Sequence, residues 1–194
     1  MAETERTLVK RSDKVAFLGC LGSGSSVTFN RMRGFTSLSQ SKNPTEYSRR
    51  YVDEDYDQTD VTGYTPSYGF GFDQYKGDPV HEEIVDILDN EKLGTDAVRD
   101  VVVVDFSQPA SKPADGYVAV KRSYAIIGDT EGDSTDAYTY SGNLRVKGER
   151  ILGTATVDEE GQVATFKVAS TEPTSLQTNQ LITNDDSQEN EDIY

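Results

Sequence analysis

Few side chains in this sequence could do chemistry. There is one histidine, His81, and one cysteine, Cys20. A nucleophilic site needs a histidine held beside its nucleophile, and Cys20 lies in a different region of the chain. His81 falls two residues past Pro79, in the first turn of an expected helix, so it reads as a surface or helix-end residue. One Cys and one His leave no zinc spacing to consider. Gly19, Gly22 and Gly24 give neither Gly-x4-Gly-Lys-Ser/Thr, which lacks its lysine here, nor Gly-x-Gly-x-x-Gly. Residues 22–26 therefore read as a flexible loop. Asp129, Glu131, Asp133 and Asp136 resemble a calcium loop only in composition. The placed glycine and the terminal bidentate glutamate are missing, so an acid-rich turn is expected. Carboxylates are so plentiful that no pair stands out. No catalytic, cofactor-binding or metal-ligating set emerges. A hydrolase built on His81 is the residual enzymatic reading, and it predicts loss of activity in His81→Ala.

The totals bound the class. A chain of 194 residues suits one domain, or one domain with a tail. Its 35% hydrophobic share and mean hydropathy of −0.62 are low for a globular protein, so part of it should be surface, loop or partner-dependent structure. No window approaches the apolar length of a membrane-spanning helix. The N-terminus is charged and shows no secretory signal. One cysteine forms no internal disulfide, which fits synthesis in a reducing cytosol. Thirty-four acidic against nineteen basic residues give a net charge of −15. Such a protein repels phosphate backbones, because nucleic-acid affinity comes mainly from Lys and Arg displacing counterions. The charge fits a plain soluble acidic protein, and it fits a surface made not to hold DNA.

The elements that would position any site are mostly strands. Residues 1–14 form a polar leader with a basic cluster, Lys10, Arg11 and Lys14. The main domain is expected over residues 15–170. From Tyr64, bulky residues alternate with small ones through Pro66, Tyr68, Phe70 and Phe72, the pattern of a strand with one packed face. Pro66 places its start near an edge or bend. Residues 53–60, with Asp53, Glu54, Asp55, Asp57 and Asp60, read as a solvated acidic loop. Taken as extended backbone, residues 51–57 would put Asp53, Asp55 and Asp57 on one side. The single helix is expected at about 79–90, with Asp78 as N-cap, Pro79 in the first turn and Val80, Ile84, Ile87 and Leu88 in one stripe. Residues 101–106 could be buried on both faces, and residues 117–127 continue as strand. A loop over residues 128–134 leads into 137–157, where Gly142, Gly148 and Gly153 suggest bends or close backbone approach. Residues 163–168 form the last strand. Residues 171–194 are a polar, acidic tail expected to be disordered on its own.

Separated stretches then resemble one family in order. Asn43-Pro44-Thr45-Glu46-Tyr47 through Arg49-Arg50-Tyr51-Val52-Asp53-Glu54, then Gly63-Tyr64-Thr65-Pro66-Ser67, is similar to tail-tube (major tail) proteins of phages infecting Gram-positive bacteria. So are Asp78-Pro79-Val80-His81, the run from Gly128 to Gly142, Val146-Lys147-Gly148-Glu149 and Gly153-Thr154-Ala155-Thr156. The likeness spans roughly residues 40–168. It implies a mainly β, tail-tube-type β-sandwich with one flanking helix. Six subunits would form a ring, inner strands of neighbours would join a ring-wide β-barrel, and rings would stack into a tube for DNA ejection. Neither catalysis nor a cofactor is implied.

The partners implied are other copies of the chain, the tape measure, the baseplate initiator and, in a contractile tail, a sheath. DNA would pass without specific binding, which suits an acidic lumen, and no membrane is involved. The expected location is the virion tail, after synthesis in the bacterial host cytoplasm. Within this frame residues 53–60 would touch the adjacent ring, with Lys10, Arg11 and Lys14, or Arg49 and Arg50, as basic partners. Two rivals share much of the pattern: the tube of a headless tail-like bacteriocin, and a monomeric immunoglobulin-like binding or decoration module.

Overall fold

The computed structural model describes residues 6–22 and 26–169. After a 3-10 turn at Arg11–Asp13 come β1 (Lys14–Leu21), β2 (Val27–Arg31), β3 (Phe35–Ser41), β4 (Pro44–Arg49), β5 (Gln58–Tyr64) and β6 (Ser67–Asp73). The helix α1 (Pro79–Asp89) follows, then β7 (Val98–Pro109), β8 (Tyr117–Glu131), β9 (Thr139–Val146), β10 (Ile151–Val157) and β11 (Val163–Val168). The described residues are mainly β with one α-helix. β10, β11, β2, β1, β7 and β8 pair in that order, and β8 pairs back with β10 to close a six-stranded barrel. β9, β6 and β3 extend the sheet outward from β8.

The branch lies within β8, which is 15 residues long. Its first part, at Tyr117 and Lys121, pairs with β10, and its later part, from Tyr124 to Glu131, pairs with β9. Between them the turn after β9 is pinned to β8. Lys147 N–H donates to Ser123 O at 3.0 Å, and Arg122 Nε donates to Gly148 O at 2.8 Å. A stretch that reads as one glycine-interrupted segment, 137–157, is therefore two strands pairing with different parts of β8, one in the extension and one in the barrel.

Period-two alternation divides the core. Val15 and Phe17 of β1 face the barrel interior with Val102, Val104, Ala119, Ala155 and Ala164. Ala16, Leu18 and Cys20 face outward to Val80, Ile84 and Ile87 of α1, together with Phe70, Phe72, Tyr140 and Leu144. β1 and β7 are thus buried on both faces, as the apolar run at 101–106 suggests. Ala119, Ala155 and Ala164 share the barrel interior with Phe17 and the valines. At Gly153 a Cβ would lie 2.1 Å from Lys167 O, so β10 and β11 approach there only because the residue is glycine.

α1 starts where expected. The Asp78 carboxylate accepts from Val80 N–H at 3.0 Å and His81 N–H at 3.3 Å, and Pro79 occupies the first turn. Val80, Ile84 and Ile87 are buried, each contributing roughly 1.5–3 kcal/mol by burial. Glu83 joins the helix to the barrel. It pairs with Arg99 of β7 at 2.5 Å and accepts from Leu21 N–H at the end of β1 at 3.1 Å.

Other boundaries differ from the sequence reading. Tyr64 belongs to β5, and the strand carrying Tyr68, Phe70 and Phe72 starts at Ser67, after the proline. Residues 128–131 are strand, not loop, because β8 keeps its partner β9 as far as Glu131. β3 and β4 were not legible, since their polar residues lack an apolar alternation, and β2 is only five residues long with Val27 and Phe29 as its whole alternation.

Candidate functional site

His81 is the natural place to look for chemistry, and the expected surface histidine proves to be buried, at 1% exposure. Its Nδ1 accepts from Tyr75 N–H at 3.1 Å, so the ring proton sits on Nε2, which donates to Arg33 O at 2.9 Å. The ring stacks on Phe72 with centroids 4.4 Å apart. Cys20 lies nearby, its Sγ 3.4 Å from Pro79 O, and burial pushes its thiol up to about 11. The two side chains share a neighbourhood, but both imidazole nitrogens are bonded to backbone and neither is left to activate a thiol. The histidine holds the turn before β3 and the segment before α1 against the helix. Beside it, burial alone would raise the Asp78 carboxyl, but the Arg33 guanidinium at 2.8 Å and the His81 and Val80 N–H groups outweigh it. The carboxyl is held below the usual range.

The acid cluster at the other end of the sheet makes no cage. Asp129 and Glu131 lie on β8, while Asp133 and Asp136 lie in the turn to β9. Among the described residues no group of three or more His, Cys, Asp or Glu could hold a metal ion.

The acidic stretch forms the tip of an arm. Among the described residues β4 and β5 pair only with each other, as a separate two-stranded sheet. Every residue of β4 is exposed, and so is β5 except Gly63. Tyr47, Tyr51, Val52, Tyr56, Val61 and Tyr64 all face water. An isolated hairpin of this kind is marginal by itself. Residues 51–57 are turns and bends, which corrects the one-sided alternation of Asp53, Asp55 and Asp57. Glu54 N–H donates to Tyr51 O at 3.2 Å, and Gln58 holds the Glu54 carboxylate at 2.7 Å, so the chain folds back there. Asp60 stands apart, in β5 opposite Tyr47.

The basic candidates are split. Arg50 pairs with Asp57 at 3.4 Å across the tip, both well exposed, and Arg49 lies 5.9 Å over the Tyr51 ring. Lys14 opens β1 and pairs with Asp105 at 3.1 Å. The Ser107 hydroxyl first, and Lys14 after it, keep that carboxyl below its usual range. Arg11 donates to Lys14 O at 2.6 Å and to Leu38 O at 3.4 Å, and Lys10 N–H donates to Asp13 at 2.7 Å. Among the described residues, Arg50 makes the acidic stretch's one ion pair within the chain.

The sheet extension has a bare face that sequence reading missed. Registers align Ile127, Asn143, Gly69 and Ser39 in one row, and Ser141, Gly71 and Ser37 in the next. Both rows lie on the face away from α1. The alternate rows, with Phe70 and Leu38 or Phe72 and Phe35, pack toward the helix. The bare face is neutral between Asp73 at one end and Arg145 at the other. Its signals in the sequence are the alternating serines at 37, 39 and 41 and the small residues between the bulky ones of β6.

Among the described residues, both margins of this extension lack a further strand. There β3 pairs with β6 alone, with Arg11 donating to its Leu38 O. At the opposite margin, β7 leaves β8 at the Val98–Ala125 pair, and Ile126 N–H donates to Ala97 O at 2.9 Å. Beyond that point, among the described residues, residues 127–131 of β8 pair only with β9. A groove of about 830 Å³ runs along this margin, lined by Leu88, Leu93, Ile127 and Gly128 among others.

No protein-family model matches the chain, and no curated protein matches it in sequence. Solved structures do match in fold. One is a chain of the tail of an empty gene transfer agent particle with C6 symmetry, at TM-score 0.52 and 15% identity, covering 76% of this chain and 98% of that one. Another belongs to the virion of a native gene transfer agent particle, at TM-score 0.50 and 14% identity, covering 74% and 97%. The SPP1 tail tube aligns at TM-score 0.46 and 16% identity, covering 83% and 81%.

Proposed function

We propose that this chain is a structural protein, the subunit of a phage-type tail tube. It assembles into hexameric rings that stack into a pipe, and DNA passes through the bore during ejection. The observation that carries this reading is the fold likeness to a six-fold symmetric tail, which extends over almost the whole of that chain. The exposed arm adds support, because a hairpin wet on both faces gains a stable setting in a neighbouring copy. Strand margins left open on a single subunit would be an aggregation hazard, and a closed ring removes them. The partners follow from the role: further copies, the tape measure, the baseplate initiator and, in a contractile tail, a sheath. The location is the virion tail.

The arm is assigned to stacking. Its acids Asp53, Glu54, Asp55, Asp57 and Asp60 meet a basic group of the adjacent ring, drawn from Lys10, Arg11, Lys14, Arg49 and Arg50. Single rim pairs are worth roughly 0–1 kcal/mol, and repetition around a ring makes them decisive for register. Electron microscopy of the purified protein in negative stain, concentrated stepwise, tests the reading. Hollow rings or tubes of uniform bore are expected. Solid particles that stay small at every concentration, even when seeded with baseplates, would overturn it. Lysine in place of Asp53, Asp55 and Asp57 together should leave rings but shorten the tubes. Tubes of unchanged length would remove the arm's charges from the stacking role.

A further inference from the structure

We propose that the acidic segment of this chain beyond Ala169 docks on a basic cluster at the β9–β10 turn of the same subunit, and keeps that cluster from holding DNA. The tube reading is not needed for it, because the contact lies within one chain. Residues 170–194 lie outside the described residues. Three observations carry the proposal. The first is the cluster itself. Arg145, Lys147 and Arg150 are all exposed and fall within six positions, with Glu149 as the one carboxylate among them. Arg122 of β8 joins them, since its Nε donates to Gly148 O at 2.8 Å. Lys147 N–H on Ser123 O, at 3.0 Å, ties the same turn to β8, so the cations stand on a fixed base. Among the described residues none of these four makes an ion pair, whereas Lys121 pairs with Asp100 and Lys167 with Asp115. The neighbours of Arg145 across the ladder are Ala125 and Ser67, both uncharged.

The second observation is place. β11 runs antiparallel to β10 with Val168 opposite Gly153, and Ala169 N–H donates to Leu152 O at 3.0 Å. Ile151, the next residue back along β10, pairs with Lys121, and Arg150 precedes it. The chain therefore leaves the barrel at a point two β10 residues from Arg150, about 7 Å along the strand. Sixteen residues lead from Ala169 to Asp185. They span up to about 50 Å when extended, so the cluster of the same subunit is well within reach.

The third observation is charge. The segment carries Glu172, Asp185, Asp186, Glu189, Glu191 and Asp192, and no Lys or Arg. Single exposed pairs are weak. A tethered segment, however, meets the cluster at an effective concentration on the order of millimolar, so several weak pairs act together. In an unassembled subunit another copy's segment has no such advantage, which favours the chain's own. Close-set arginines and lysines are also what a phosphate backbone takes, by releasing its counterions. Covered by its own polyanion, the cluster offers DNA nothing to hold. Part of the chain's acid excess thereby has a local task.

Carbodiimide coupling of the full chain, below its assembly concentration, tests the contact, because it joins a lysine amine directly to a carboxylate that touches it. Peptides from the monomer band should contain Lys147 linked to a carboxylate among residues 185–192. That link should fall about fivefold between roughly 0.05 M and 1 M salt, as screening shortens to about 3 Å. Lys14–Asp105 and Lys121–Asp100, ion-paired within the barrel, serve as internal standards. Coupled standards without a Lys147 link to the segment, or with that link in the dimer band alone, would overturn the docking. Neutralising the segment tests the shielding in a chain of full length. Glu172→Gln, Asp185→Asn, Asp186→Asn, Glu189→Gln, Glu191→Gln and Asp192→Asn together should tighten binding of a short DNA duplex about tenfold. Adding Lys147→Glu and Arg150→Glu should abolish the gain. Unchanged DNA binding, or a gain that survives those two substitutions, would overturn the shielding. Neither measurement involves tubes, so the tube reading stands or falls separately.

Discussion

Replacing Asp78 by alanine should destabilise the unassembled subunit by about 2 kcal/mol. Two losses add. The carboxylate caps the first turn of α1 through Val80 and His81 N–H, and removing such a cap costs about 1 kcal/mol. The pair with Arg33 at 2.8 Å goes too; with that arginine more than half exposed, it is worth up to about 1 kcal/mol. The folded-to-unfolded ratio falls about thirtyfold, and Tm falls by roughly 4–8 °C for a domain of this size.

Asp78→Asn separates the two losses, because the amide oxygen still caps while the charge is gone; it should cost about 1 kcal/mol or less. The carboxyl is held below its ordinary value by Arg33 and the helix N–H groups, against the opposing effect of burial. Its stabilisation is therefore complete above the unfolded value of about 3.9 and is lost as pH falls through the lower folded value. Asparagine does not titrate, so the gap between wild type and Asp78→Asn should be flat near neutrality and should close below about pH 4. The chain has no tryptophan, so urea unfolding followed by far-ultraviolet circular dichroism, below the assembly concentration, is the assay. A cost under about 0.5 kcal/mol for alanine, or a gap that persists to the lowest pH, would refute the reasoning.

Further outcomes follow from packing and burial. In Gly142→Ala the new Cβ would lie 2.3 Å from Ile127 O, which should cost about 1–3 kcal/mol or more, whereas Gly69→Ala, 3.8 Å from Ser39 Oγ on the bare face, should be close to neutral; paired urea titrations distinguish them. Arg99→Met should cost about 3–5 kcal/mol by leaving Glu83 buried without its partner, and Arg99→Met with Glu83→Leu should recover most of it in a double-mutant cycle. Cys20, whose thiol burial pushes up to about 11, should resist a thiol-specific reagent at pH 8 until urea unfolds the chain; rapid labelling of the native protein would contradict its placement.

The sequence by itself determined the local elements whose signals are local. α1 was legible because Asp78, Pro79 and the stripe from Val80 to Ile87 encode cap, first turn and buried face within a dozen positions. β6, β7 and β11 were legible because bulky or apolar residues there mark a packed face. The expectation of a mostly strand chain with one helix followed from these, while the helix's place on the flank of a β domain was implied by the family resemblance. The arm's acidic tip was visible as charge, though not its course. Residues 51–57 alternate as a strand would, and only the Arg50–Asp57 pair and the Glu54 bonds turn them back.

Tertiary structure decided the rest, for a physical reason in each case. His81 is buried because the turn before β3 folds over the helix start, a contact between positions 33 and 81 that neither neighbourhood announces. β8 serves both the barrel and the extension because its length outlasts β10 and reaches β9, a matter of register rather than composition. The bare face and its open margins were invisible because serine and glycine carry almost no strand signal. Their meaning comes only from the aromatic rows packed on the opposite side, which position them, and from the fact that no further strand among the described residues covers β3.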